Sequence, residues 1–290
     1  MKTHRIALST CGLEPSKDDF LAMARAGIEA LEVSPSHDHS YDFPYYELKS
    51  AADAAGIRLW SYHLPFCGAE KHNIANPNHL ERREAVRRHK SRMEIAALMG
   101  IHHAVIHPCW EPTTPNEPHA RSICLEAAKD SLAEMAGIAQ DLDMVLCVED
   151  LPRTCLGNRS AEILELLSAD PRLRCCFDTN HLLGEPIADF IRAVGPKIAT
   201  VHMSDYDFTN ERHWLPGEGR IDWVELLDGL DAAGYDGPIL FEVPPHGSPN
   251  SIERPRDLVW EDYACCAREL MARTPLTAIA KGKENLPIWP

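Results

Sequence analysis

Short apolar runs alternate along the chain with longer stretches whose apolar positions recur at helical spacing. The runs predict strands at 5–9, 30–34, 57–62, 103–106, 144–148, 173–177, 198–201 and 238–241. The stretches between and after them predict helices at 17–26, 45–55, 78–99, 118–140, 160–167, 186–194, 223–233 and 256–272. Ser16 suits the N-cap of the first helix, and Gly27, Gly56, Gly100 and Gly234 stop four of them. Near-continuous apolar strands are expected where both faces of a parallel sheet are covered. Eight strand–helix repeats with no strand left over favour an α/β fold closed into a single (β/α)8 barrel over an open doubly wound sheet. No Gly/Ser-rich or Pro-rich linker breaks the repeat, so residues 1–273 are expected to form one domain. Residues 274–290, polar and carrying Lys281, Lys283 and Glu284, are expected as a loosely docked or disordered tail.

A length of 290 residues fits either two average domains or one large barrel, so the pattern decides and the length does not. Charge adds an exclusion. With 29 Lys plus Arg against 44 Asp plus Glu, the net charge is −15, a field that repels phosphate backbones and argues against a nucleic-acid partner. The densest basic stretch, Arg82 to Lys90, interleaves with Glu81 and Glu84 at helical spacing and reads as a solvated helix face. Ten dispersed cysteines without C-x-x-C spacing read as reduced thiols of a cytoplasmic protein. The apolar run near the N-terminus is too short for a signal peptide or a membrane span.

A parallel barrel gathers the C-terminal ends of its strands at one mouth, where side chains remote in sequence meet. The residues predicted at or just past those ends are His63, His107, Glu149, Asp178, His202 and Glu242, with His181 and His213 in the loops beyond. Polar strand ends merely meeting water would give one or two such residues, and here six strands of eight carry one. Glu149 and Glu242 each end a run where an uncompensated charge is costly, so each needs a cation or an ion-pair partner. With Asp178 and His202 they form three carboxylates and one imidazole, an oxygen-rich set suited to one divalent ion, Mn, Mg or Co more than Zn. Tyr62, Phe66, Trp110 and Trp214 flank these positions, either as core and rim or as faces that grip a sugar ring. Glu211 sits in a charge-dense loop and fits solvent and site equally well.

At this point the chain resembles the xylose isomerase-like TIM barrels, a family that includes sugar-phosphate isomerases, ketose 3-epimerases and the endonuclease IV branch. The motifs that carry the resemblance run from residue 62 to residue 242. They are Tyr62-His63-Leu64-Pro65-Phe66, His107-Pro108, Val148-Glu149-Asp150-Leu151-Pro152, Phe177-Asp178-Thr179-Asn180-His181, His202-Met203-Ser204-Asp205, the stretch from His213 to Trp223, and Phe241-Glu242. The resemblance implies a metal held by Glu149, Asp178, His202 and Glu242, with His181 near the substrate. In the epimerase branch, the glutamates matching Glu149 and Glu242 both bind metal and exchange protons with the carbon acid. In the nuclease branch, His63, His107, His181, Glu211 and His213 fall at positions that hold additional zinc ions. Two positions depart from the family's habit: Asp150 stands where Asn is frequent, and Glu211 where Asp is.

The expectation is a metal-dependent isomerase or epimerase of a small sugar or polyol derivative, working through an enediolate. Glu149, Glu242 and His181 are assigned to catalysis, and His63, His107, Trp110, Arg153 and His213 to substrate binding. The competing expectations are a lyase or hydrolase of keto-sugar derivatives, an endonuclease IV-like phosphodiester hydrolase, and a silent sugar-binding barrel. The partner is then a small-molecule sugar, with a homo-oligomer possible.

Overall fold

The alternation is realised in the computed structural model, which describes residues 3–11, 13–35, 40, 42–66, 71–109, 118–248 and 250–288. In order these are β1 (Ile6–Ser9), α1 (Lys17–Ala26), β2 (Ala30–Val33), α2 (Tyr45–Ala55), β3 (Arg58–His63), α3 (His79–Leu98), β4 (His103–Ile106) and α4 (Pro118–Asp141). The second half continues with β5 (Val145–Glu149), α5 (Ser160–Leu167), β6 (Arg174–Asp178), α6 (Ile187–Val194), β7 (Ile198–His202), α7 (Trp223–Ala233), β8 (Ile239–Phe241) and α8 (Trp260–Ala272). The strands pair in parallel in the order β7-β6-β5-β4-β3-β2-β1-β8. Closure falls just past the end of β7, where Met203 N–H donates to Leu240 O at 2.8 Å and Glu242 N–H to Met203 O at 3.3 Å. The barrel is thus shut by the backbone that flanks His202 and Glu242.

Alternation along each strand decides which side chains enter the barrel. On β5, Leu146 and Val148 pack outward into the main core, whereas Cys147 joins a separate inner cluster with Val105 and Cys176. Two residues beyond Cys147 on the same face lies Glu149, and two beyond Cys176 lies Asp178. Both acids therefore point inward at the mouth. Irregular register between β2 and β3 brings Glu32 opposite Ser61, the kind of bulge that re-aims a side chain.

Several expectations are adjusted. Helix α8 starts at Trp260, not at 256, because Asp262 accepts the Val259 N–H at 2.8 Å and pairs with Arg256 at 2.6 Å, fixing the preceding turn. His89 is not on the solvated face of α3: it is buried, and its Nε2 donates to His72 O at 2.9 Å. The nine described cysteines are free thiols. The tail is docked instead of loose. Gly282 N–H donates to Glu218 O at 3.0 Å and Lys283 N–H to Ser251 O at 2.8 Å. Gly282 lies so flat on Trp214 that an added Cβ would come within 2.0 Å of the indole, which fixes glycine there. Among the described residues, no helix is long and apolar enough to cross a membrane.

Candidate active site

His202, the last residue of β7, is the hub of the mouth. Its Nδ1 lies 3.3 Å from Glu149 Oε1, 3.3 Å from Glu242 Oε2 and 3.9 Å from Asp178 Oδ2. Glu149, Asp178 and His202 are wholly buried, and Glu242, just beyond β8, opens onto the cavity. These four residues each offer one ligand atom, all within 4.8 Å of one another. Asp178 Oδ2 has no hydrogen-bond partner although it is buried. Three carboxylates crowding one imidazole with an orphaned oxygen among them is an arrangement a divalent cation satisfies, because it supplies the missing charge and a ligand position for each. The residues expected to hold a metal are therefore brought together, and the donor set fits one.

A further carboxylate, which the sequence reading missed, stands behind His202. The imidazole's Nε2–H donates to Glu32 Oε2 at 3.1 Å, and the same carboxylate accepts from Ser9 Oγ at 3.0 Å and from Ser61 Oγ at 2.8 Å. Glu32 thus fixes which nitrogen of His202 faces the donor set. The signal available was an acid inside the apolar run Leu31-Glu32-Val33.

Three other histidines are oriented by backbone. Nδ1–H donates to Leu64 O in His63 at 2.9 Å, to Asp150 O in His181 at 2.7 Å and to Glu242 O in His213 at 3.2 Å. In each, Nε2 is left facing a carboxylate. His63 Nε2 and His107 Nε2 lie 3.1 Å and 3.2 Å from Glu149 Oε2. His181 Nε2 and His213 Nε2 lie 3.2 Å and 3.5 Å from Glu211 Oε1. Glu211 therefore belongs to the site, and the two groups His63–His107–Glu149 and His181–Glu211–His213 are each compact enough to hold an ion.

Of the residues assigned to substrate binding, His63, His107 and His213 line the cavity, together with Phe66, which stacks on His107 at 4.6 Å. Arg153 does not line it; its Nη1 pairs with Glu211 instead. Trp110 lies outside the described residues. Tyr62 and Trp214 prove to be core, their polar atoms bound to Tyr45 Oη at 2.7 Å and Ser251 Oγ at 3.2 Å. The loop that carries Glu211 and His213 is pinned by buried Asp205. Its carboxylate accepts from the N–H groups of Tyr206, Gly217 and Ile221 and from Trp223 Nε1, all between 2.9 and 3.1 Å. His213 and Arg153 both hold left-handed backbone, with φ of 50° and 56°, strain that the surrounding bonds maintain.

The electrostatics follow from burial and proximity. Burial lifts the Asp178 carboxyl to about 6. Burial also raises Asp150 well above the usual carboxylate range, while its Oδ1 accepts the Asp178 N–H at 2.8 Å. Burial opposes a charged imidazole at His213, but the hydrogen bond to Glu211 and the negative charges of Glu242, Asp178 and Glu211 together outweigh it and set the value at about 9 against an ordinary 6.5. That raised value contributes stability fully present below pH 6.5 and lost as pH rises through about 9. Burial likewise opposes the charged ring of His181, and Asp178 and Glu211 raise it in the same direction. Chelator-treated protein is therefore expected to show a melting temperature that falls between pH 6.5 and 9. Saturating divalent metal should flatten that fall, because metal binds the deprotonated ligands. A flat metal-free profile would show that these histidines are not charged in the folded state.

The comparisons agree with this architecture. A fructoselysine 3-epimerase of Escherichia coli O157:H7 is 25% identical over 291 residues, covering 90% of this chain and 100% of that protein. A D-psicose 3-epimerase of Ruminiclostridium cellulolyticum is 25% identical over 229 residues, covering 76% of this chain and 75% of that protein. The solved structure of a D-tagatose 3-epimerase-like protein superposes with a TM-score of 0.75 at 22% identity, over 93% of this chain and 96% of its own. Residues 20–265 match the family described as xylose isomerase-like TIM barrel. The chain belongs to the xylose isomerase-like TIM barrel family.

Proposed function

We propose that this chain is a divalent-metal-dependent sugar epimerase or isomerase that removes and returns a proton next to a carbonyl through an enediolate. The observation that carries the reading is the placement of Glu149 and Glu242 on one imidazole nitrogen, 3.3 Å from each, at the floor of an open cavity. The named activities of the similar epimerases support the same chemistry.

Glu149, Asp178, His202 and Glu242 would hold the ion. When bound, it would polarise the substrate carbonyl and make the neighbouring C–H acidic enough to ionise. One of the two glutamates takes the proton and the other delivers it, each worth ~10²–10⁴ in rate. His181, with Nδ1–H held by Asp150 O and Nε2 3.2 Å from Glu211 Oε1, lines the cavity, where a substrate hydroxyl would share Nε2 with Glu211. Phe66 offers an apolar face beside His107. Manganese, magnesium or cobalt suits this donor set better than zinc.

The two flanking His–carboxylate groups favour a second reading, a phosphodiester hydrolase working with three ions. Against it stand the net charge of −15 and the ion pair that Arg153 makes with Glu211. The test is solvent deuterium exchange into a panel of ketoses, stopped by chelation and restored by manganese or magnesium, with elemental analysis of the same protein. Exchange with one ion per chain is expected. Three ions per chain with cleavage of an abasic-site duplex would replace the epimerase reading with the hydrolase.

A further inference from the structure

The cavity above the donor set changes character from floor to rim. Its volume of about 870 Å³ lies toward the upper end of the ~300–1,000 Å³ typical of small-molecule sites. Glu149, His181 and Glu242 lie at the floor, whereas Val243 and Pro244 after β8 and Leu286, Pro287 and Ile288 of the tail supply an apolar wall. That wall is held in place. Gly282 bridges to Ile252 and lies on Trp214. Farther along, Pro287 O accepts from Arg212 Nη2 at 3.1 Å. The tail is thereby tied to the same loop that carries Glu211 and His213.

Charge narrows what the wall can receive. Among the described lining residues, Arg212 is the one permanent cation, and its Nε is bound to Asp207 Oδ2 at 2.9 Å. A phosphate ester would meet Glu211, Glu242 and a guanidinium already engaged, and the lining imidazoles of His181 and His213 already face Glu211.

Resting on the epimerase reading, we propose that the substrate is a sugar conjugate. Its reacting end sits over Glu149 and Glu242, and a neutral substituent with an apolar face packs against Leu286 and Ile288. The tail is then the specificity wall of the site: a free monosaccharide fills the floor and leaves the wall wet, whereas a conjugate covers it. Ile288 is 71% exposed without ligand, so apolar surface is available for the substituent to bury.

Calorimetric titration tests this on the metal-loaded full chain, using one ketose in three forms: unsubstituted, carrying a phenyl substituent, and as its phosphate ester. The expected order has the phenyl conjugate about tenfold or more tighter than the free ketose, the scale on which a pocket discriminates by apolar contact. Removal of residues 284–290 should cut that ratio about tenfold. The double substitution Leu286→Ser with Ile288→Ser should do the same, and it touches only partly buried or exposed positions, so the fold is kept. Equal affinities, a ratio indifferent to both changes, or tightest binding of the phosphate ester would each overturn the proposal. Deuterium exchange on the same samples separates the two readings. Exchange of the free ketose with no tail-dependent preference sinks the specificity wall alone. Tail-dependent binding without exchange of any form sinks the epimerase chemistry alone.

Discussion

Glu242→Gln is expected to remove solvent deuterium exchange at the substrate C–H, lowering it ~10²–10⁴-fold, equivalent to ~3–5 kcal/mol of transition-state stabilisation. Glu149→Gln should do the same by a different balance of causes. Glu149 is wholly buried and receives His63, His107 and His202 on its two oxygens. Burial opposes its charge, but His202 and His107 hold the carboxyl well below the usual range. A glutamine there puts an amide N–H against imidazole nitrogens, so metal content should fall together with exchange. Glu242 makes fewer contacts and faces the cavity, so Glu242→Gln should keep more of its metal while losing the proton transfer. Elemental analysis beside the exchange assay separates the two effects. Exchange at the native rate in either variant would mean that the glutamate is only a ligand or only an ion-pair partner.

The unequal roles of these two acids were only half legible in the chain. Their position at strand ends was readable because parallel strands deliver every end to one mouth, and the alternation Leu146, Cys147, Val148, Glu149 then fixes an inward direction. What lies beside each acid was not readable, since it comes from other strands. Glu32 illustrates the limit: an acid inside an apolar run announces burial, but its meaning depends on Ser9, Ser61 and His202, drawn from three other elements. Glu211 fitted solvent as well as site until the loop pinned by Asp205 brought it to His181. Trp214 and Tyr62, open between core and mouth in the sequence, resolve as core for a related reason. Each is adjacent in sequence to a site histidine, but neighbouring positions on a strand or extended loop point to opposite sides. The docking of the tail through Gly282 and Lys283 lay equally beyond local pattern, because its partners belong to loops at the barrel mouth.

Glu32→Gln isolates the part played by the carboxylate behind the site. Both of its oxygens act only as acceptors, one from Ser9 Oγ, the other from Ser61 Oγ and His202 Nε2. A glutamine keeps the shape but can accept on one side only, so its amide group must face a hydroxyl or an imidazole N–H. The anion that fixes Nε2–H and makes Nδ1 a stronger donor is lost in either orientation. Metal affinity is expected to fall ~10–100-fold, measured by competition with a chromogenic chelator. Because Glu32 contacts the ligand and not the substrate, exchange measured at saturating metal should recover in large part, whereas Glu242→Gln stays inactive however much metal is added. Glu32→Asp, which retains the charge but retracts it, should fall between the two. Native affinity in Glu32→Gln would reduce this residue to a structural partner of the barrel floor. Lost exchange that saturating metal does not restore would place it in the proton transfer itself.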